Sequence, residues 1–254
     1  MEFKTDYHIH SFYSDGVLSP TEIVKKFHAA DYDIISITDH DGFEALREAK
    51  DAVRDLEMEV VPGIEFSTIY DFGEKNLELH ILGYNFDTEN RRLIETCKRL
   101  KEIREERNIK LIEKLNKEGI KISKEDLPEK PGAYIGKPDI ARVLKEKGYD
   151  YQDSYKLLSG VPKKMLSTAE AIEIIREAKG VAVLAHPLEI EEFVENNKYN
   201  FDKLKELLAE LKKIGMRGLE CFHPSATESD SNKLIEISAK YHLHMTSGSD
   251  FHHD

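Results

Sequence analysis

Apolar residues recur along this chain in two alternating rhythms. Runs such as Ile34-Ile35-Ser36-Ile37, Val60-Val61-Pro62-Gly63-Ile64 and Val181-Ala182-Val183-Leu184 are almost continuous, as expected of parallel strands buried on both faces. Between them lie stretches whose apolar positions return every three or four residues, the spacing of amphipathic helices. Residues 3–8 read as a first strand. Ser19-Pro20-Thr21-Glu22 opens a helix to about Ala30, with Ser19 as cap, Pro20 in the first turn and Glu22 closing a capping box. Strands over 33–38 and 59–65 flank a helix over 43–56, and 66–70 with 77–84 read as the arms of a hairpin turning through Asp71-Phe72-Gly73. One long helix spans about 90–119, followed by a loop containing Pro128, Pro131 and Gly132 and by helices near 138–147 and 151–158. Helices over 167–178, 201–214 and 229–241 then alternate with strands over 180–185, 216–221 and 243–246. This alternation predicts an α/β protein with a parallel sheet, and 254 residues suffice for a single barrel. The expected division is 1–89 with 166–254 as one catalytic barrel, and 90–165 as a helical insertion.

Charge and composition narrow the partners. With 49 acidic against 37 basic residues, the net charge of −12 argues against general affinity for long duplex nucleic acid and leaves a small anionic substrate open. Cys97 and Cys221 are far apart and form no Cys-x-x-Cys pair, the start of the chain carries no apolar signal region, and no stretch approaches 18 apolar residues. The expectation is a cytoplasmic protein without a membrane partner. Its oligomeric state is not legible.

The candidate chemistry sits where the apolar runs end. Asp6-Tyr7-His8-Ile9-His10 puts two imidazoles on one face of a strand end, with Asp15 five residues on. Similar pieces follow at Thr38-Asp39-His40, Gly63-Ile64-Glu65, Leu79-His80, Ala185-His186-Pro187 and Gly248-Ser249-Asp250-Phe251-His252. Polar residues at the ends of so many strands favour a closed barrel with its site on that face, since an open doubly wound sheet draws its ligands from a few strands. His8, His10, Asp15, His40, Glu65, His80, His186, Asp250 and His252 are too many for one tetrahedral ion and suit two or three Mn²⁺, Zn²⁺ or Fe²⁺ ions. Such ions, with Glu65 as a natural bridge, hold a hydroxide at neutral pH and neutralise phosphoryl oxygens. There is neither a Gly-x-Ser-x-Gly elbow nor a phosphate-cradling Gly-x-x-x-x-Gly-Lys loop.

Together these motifs, from residue 6 to the end of the chain, resemble the PHP (polymerase and histidinol phosphatase) family. Within it, Ser14-Asp15-Gly16-Val17-Leu18-Ser19-Pro20 and the helical insertion resemble the stand-alone nucleoside 3′,5′-bisphosphate phosphatases and 5′→3′ exoribonucleases. The resemblance implies a distorted seven-stranded (β/α)7 TIM-like barrel capped by the insertion. It also implies a trinuclear centre with His8, His10, Glu65 and Asp250 on one ion, Glu65, His80 and His186 on a second, and Asp15, His40 and His252 on the third. The attacking group is then a metal-bound hydroxide held by Glu65, Asp250 and His186.

By matching motif positions, Arg104, Arg107 and Asn108 with Lys137 supply the phosphate-binding groups of the cap. Pro138 opens a helix and sets Lys137 beside free backbone amides, an independent reason for an anion site there. The family usually reads Gly-Arg-Pro-His where this chain has Gly136-Lys137-Pro138-Asp139. His223 is a candidate for the pocket, as substrate contact or acid, and Tyr134 and Phe12 are candidates for stacking on a base. His28, His242, His244 and Cys221 read as structural. The expected activity is hydrolysis of phosphate monoesters of nucleotides, with histidinol phosphate or another small metabolite as the alternative substrate and a metal-binding or nucleotide-sensing module as the non-enzymatic one.

Overall fold

The computed structural model describes residues 3–130 and 135–253, with Tyr151 described through its backbone alone. Strand β1 (Thr5–Ile9) leads to α1 (Pro20–Ala29), β2 (Ile34–Ile37), α2 (Ala45–Ala52), β3 (Glu59–Phe72) and β4 (Lys75–Tyr84). Helices α3 (Arg91–Lys117), α4 (Lys137–Glu146) and α5 (Tyr151–Leu157) follow. The alternation then resumes with β5 (Leu166–Ser167), α6 (Thr168–Glu177), β6 (Val181–Leu184), the small hairpin β7 (Val194–Glu195) and β8 (Lys198–Tyr199), α7 (Phe201–Ile214), β9 (Gly218–Phe222), α8 (Glu228–Tyr241) and β10 (His244–Ser247). The capping box of α1 forms between Ser19 and Glu22, with Pro20 in the first turn. No helix among the described residues is long and apolar enough to cross a membrane.

The sheet runs β1-β2-β3-β4-β6-β9-β10, with β5 joined to β3. The segment that follows β10 reaches β1 through a parallel bridge from Ile9 to Phe251, where the His10 amide donates to the Phe251 carbonyl at 2.8 Å. The sheet is mixed, not parallel throughout: β4 runs against both β3 and β6. The cause is local. No turn residue interrupts the chain after Glu65, so the expected third strand and first hairpin arm are one 14-residue strand. It pairs with β4 without a break from Gly63↔Tyr84 to Phe72↔Lys75 and turns only at Gly73, where φ is +62°.

Helices pack on the sheet through their apolar faces. Ile23, Val24 and Phe27 of α1 and Ala45 and Ala49 of α2 pack on Ile9, Ile35 and Ile37. Leu204, Leu207, Leu208 and Leu211 of α7 join α6 over β4, β6 and β9 in the largest cluster. Val61, Leu82, Tyr84, Val183 and Ala185 form another cluster with Tyr7, Ile34 and Val181. Leu111, Leu115, Ile140, Leu144 and Leu158 give α3, α4 and α5 a small core of their own. Leu93, Cys97 and Leu100 in the first half of α3 belong instead to the largest cluster, so α3 ties that small core to the sheet.

Candidate metal centre

Glu65 and His80 are delivered from within the paired strands β3 and β4, and the other candidate ligands lie near a strand end or in the segment that follows it. His8 lies on β1 and His10 follows it, and the turn after them returns Asp15 to the same place, its Oδ1 3.5 Å from His10 Nδ1. Glu65 lies midway along β3, almost wholly buried, with His40 Nδ1 at 2.8 Å, His80 Nδ1 at 3.0 Å, His186 Nε2 at 3.1 Å, His10 Nε2 at 3.3 Å and His8 Nε2 at 3.4 Å. Asp250 Oδ1 stands 3.2 Å from His10 Nε2 and 3.4 Å from His8 Nε2. His252 Nε2 lies 3.3 Å from Asp15 Oδ1, and His40 Nε2 lies 3.5 Å from Asp15 Oδ2. The nine side chains therefore meet in one cluster centred on Glu65.

The donor set fits divalent cations. His8 Nε2, His10 Nε2, His40 Nδ1 and Glu65 Oε2 are buried without a hydrogen-bond partner among the described residues, although burying such atoms unsatisfied costs roughly 1–3 kcal/mol each. A shared cation satisfies them together. Ligand atoms of His10, Asp15, His40 and His252 all lie within 4.8 Å of one another, as do those of His8, His10 and Glu65 and those of His40, Glu65 and His80. His10 and His40 thus each reach two corners of the cluster. Burial pulls the His10 imidazole down, but the Asp250 and Glu65 carboxylates outweigh it and lift it to about 10; burial likewise opposes Glu65 and Glu78 at His80, which ends near 9. At His40 burial prevails and favours the neutral ring, the form that ligates a cation; throughout the cluster cations compete with protons for the same atoms.

Two features escaped the sequence reading. Glu220, on β9, is fully buried, takes the His8 Nδ1 at 3.0 Å and accepts from the His186 amide at 2.7 Å. It therefore orients one imidazole toward the centre and fixes the backbone of another. A carboxylate inside the apolar run Gly218-Leu219-Glu220-Cys221 was the available signal. Gly248 belongs to the same packing, since a Cβ there would stand 2.1 Å from His8 Cβ. The backbone is also unusual where it aims ligands: His186 has φ of 22° and Asp250 of 50°, both in the left-handed region that costs a non-glycine residue about 1 kcal/mol or more.

A cleft of about 440 Å³ opens beside Asp15, His40 and His80, with Arg104, Arg107, Lys137 and Lys163 on its walls. Arg104 and Arg107 lie on the buried stripe of α3 instead of a solvated helix face. Arg104 Nε donates to Asp41 at 2.8 Å, its Nη2 contacts the same carboxylate, and Lys163 Nζ stands 3.4 Å away. These cations outweigh the cost of burial and hold Asp41 well below the usual carboxylate range. Lys163 is the second feature missed, because Pro162-Lys163-Lys164 matches no motif. The structure brings Lys137 and Arg107 to the cleft but turns Asn108 elsewhere, its amide donating to the Ile135 carbonyl and its side chain lining a separate groove. His223 Nε2 lies 3.5 Å from Asp250 Oδ2, and its ring centroid lies 5.5 Å from that of His186. Phe12 lies against Tyr13, and Tyr134 falls outside the described residues.

The profile of the PHP domain matches residues 6–221. The chain belongs to the PHP domain family. Among relatives within and around that family, it is 30% identical over 262 residues to a 5′-3′ exoribonuclease of Haemophilus influenzae, covering 99% of this chain and 91% of the relative. It is 27% identical to a phosphoribosyl 1,2-cyclic phosphate 1,2-diphosphodiesterase of Eggerthella lenta, covering 97% and 93%, and 28% identical to a 3′,5′-nucleoside bisphosphate phosphatase of Chromobacterium violaceum, covering 97% and 86%. A crystal structure from Bifidobacterium adolescentis, provisionally named a metal-dependent phosphoesterase, superposes with a TM-score of 0.84 at 25% identity, covering 99% of this chain and 88% of the other. The α/β fold described above is thus that of the family's solved structures.

Proposed function

We propose that this PHP domain is a metal-dependent phosphoesterase that hydrolyses phosphate monoesters of nucleotides, either nucleoside 3′,5′-bisphosphates or short 5′-phosphorylated oligonucleotides. The observation that carries the reading is the wall shared by the ligand cluster and the basic cleft: Asp15, His40 and His80 belong to both. His8, His10, Glu65 and Asp250 would hold one divalent ion, Glu65, His80 and His186 a second, and Asp15, His40 and His252 a third. Bound there, Mn²⁺, Zn²⁺ or Fe²⁺ supplies a nucleophile from water at neutral pH and neutralises the phosphoryl oxygens that gain charge.

The chain's own side chains do the rest. Arg107, Lys137 and Lys163 bind a further anionic group of the substrate, and Arg104, pinned by Asp41, keeps its position among them. Charge-assisted contacts of this kind orient a phosphate as well as attract it. His223 Nδ1 accepts from the Ser225 amide at 3.2 Å, which leaves the ring proton on Nε2, on the side of Asp250, where it can donate a hydrogen bond to a substrate oxygen. In architecture, the supporting reading is a distorted seven-stranded barrel from residues 1–89 and 166–254, closed across the Ile9–Phe251 bridge and capped by residues 90–165. Two buried free cysteines fit a reducing, cytoplasmic setting.

A second reading rests on one observation. A second pocket of about 360 Å³, sharing Glu78 and His80 with the basic cleft, also carries Glu189, Glu191 and Glu192, which suits a monoester bearing an amine or imidazole such as histidinol phosphate. A side-by-side panel with Mn²⁺ decides: phosphate release from adenosine 3′,5′-bisphosphate and a 5′-phosphorylated dinucleotide well above that from histidinol phosphate supports the first reading. A preference for histidinol phosphate by orders of magnitude overturns it.

A further inference from the structure

Asp139 stands where the family usually carries histidine, and its surroundings give it a different task. Its carboxylate is fully buried at the first turn of α4 and is bonded on every side. The Gly136 amide donates to Oδ2 at 2.8 Å, which closes the helix cap. Lys130 Nζ lies 2.9 Å from Oδ1 and 3.0 Å from Oδ2, and Arg142 Nη1 donates to Oδ1 at 2.8 Å. Neither cation ends there. Lys130 Nζ also donates to the Ser14 carbonyl at 3.0 Å, and Arg142 Nη2 donates to the Asp15 carbonyl at 3.1 Å. One buried carboxylate therefore holds two cations, and each grips the backbone of a different residue in the loop that carries Asp15.

The other side of that loop is held independently. The Ser11 amide and hydroxyl both donate to Asp39, at 2.8 and 2.6 Å, and the Ser14 hydroxyl donates to the same carboxylate. With Asp39 on the sheet side and the Asp139 pair on the helical side, the loop is gripped between the two parts of the chain. At its centre the Asp15 carboxylate faces His10, His40 and His252. Guanidinium suits this bridging role because its fork reaches a carboxylate and a carbonyl at once. A buried carboxylate with two cationic partners is also costly to disturb, so the arrangement tolerates few alternatives.

We propose that Asp139, through Lys130 and Arg142, is a positioning residue that fixes the Asp15 loop, so that cation affinity at the corner formed by Asp15, His40 and His252 depends on a carboxylate outside the ligand set. The proposal rests on the metal reading of the cluster. It also explains how this chain accommodates an acid beside Lys137: Asp139 is turned away from the cleft and spent on the loop, leaving Lys137 on the cleft wall.

The test is Mn²⁺ titration of the full chain after chelator treatment, with free Mn²⁺ followed by electron paramagnetic resonance and the thermal midpoint of the treated protein measured in parallel. Arg142→Gln and Lys130→Met remove one grip each, and Asp139→Asn removes the charge that holds both. Each is expected to weaken one binding event by about tenfold or more, the size of effect seen when a ligand loses its orienting partner, and to leave the other events unchanged. Arg142 is 40% exposed, so Arg142→Gln is the variant least prone to fold poorly. Unchanged affinities in Arg142→Gln and Lys130→Met overturn the proposal, as does a uniform weakening of all events together with a lowered midpoint, which marks a purely structural role. Absence of Mn²⁺ binding by the unaltered chain overturns the metal reading itself, a separate outcome.

Discussion

The ligand cluster draws its side chains from six separate stretches: His8 to Asp15, His40, Glu65, His80, His186 and Asp250 to His252. The basic wall opposite takes Arg104 and Arg107 from one helix, Lys137 from the first turn of another and Lys163 from the segment before β5. In the first region, position is set by the sheet: Glu65 and His80 lie within paired strands and inherit their register, and the other ligands lie near or just beyond strand ends. In the second, position is set by charge pairing, since Arg104 and Lys163 are placed by Asp41. The ligand side is consequently crowded, with buried atoms left without a hydrogen-bond partner among the described residues, whereas the charge of the basic side is already neutralised in part by Asp41.

The comparison breaks most directly at Glu65. Glu65→Ala removes the carboxylate that five imidazoles face. Turnover should fall by about 10³-fold or more with the loss of at least one tightly bound ion, measured by phosphate release and by metal analysis of the same sample. Retained metal and retained turnover would show that Glu65 is a packing residue. Arg104→Met acts on the other wall: metal content should be unchanged, turnover should fall about 10²-fold, and unfolding in urea should show a loss of about 3 kcal/mol because Asp41 loses its bonded guanidinium and stays buried with the Ser67 amide and the more distant Lys163 ammonium. Loss of metal in this variant would erase the distinction between the two regions.

The smallest effect concerns Lys163. Burial pulls its ammonium down and Arg104 adds to this, against the attraction of Asp41, leaving it at about 8. An unfolded lysine titrates near 10.4, so between those values the unfolded chain binds more protons and stability rises with pH. Below about 8 the folded protein carries the full cost of the buried charge. Lys163→Met should therefore flatten the stability profile between about pH 8 and 10, raise stability at pH 7 by on the order of 1 kcal/mol and raise KM about tenfold. Paired denaturation curves at pH 7, 8 and 10 check it, and a slope that survives the substitution contradicts it.

The same contrast explains what was legible in the amino-acid order. Ligands at strand ends announce themselves because an apolar run stops at a histidine or a carboxylate, as at Ile37-Thr38-Asp39-His40 and Leu184-Ala185-His186. The antiparallel direction of β4 was legible from the turn residues Asp71-Phe72-Gly73, but the union of its partner arm with the strand of Glu65 was not, because a carboxylate closing an apolar run looks like a strand end. Arg104 and Arg107 lie in a run of alternating charges that looks like a solvated face, and only tertiary packing buries them. Glu220 and Asp139 are hidden for a related reason: each acts by holding another group, and such residues follow no spacing rule. Asn108 shows the converse, a motif position whose side chain the fold turns toward Ile135.

The central claim is that turnover arises from cations seated on the Glu65 cluster. The most direct measurement is phosphate release from adenosine 3′,5′-bisphosphate by chelator-treated protein as Mn²⁺ is added back, with bound metal counted at each step. Turnover should be absent at the start, rise with occupancy and saturate at two or three ions per chain. Full turnover by the chelator-treated protein, with no bound metal and no response to Mn²⁺, would contradict that claim.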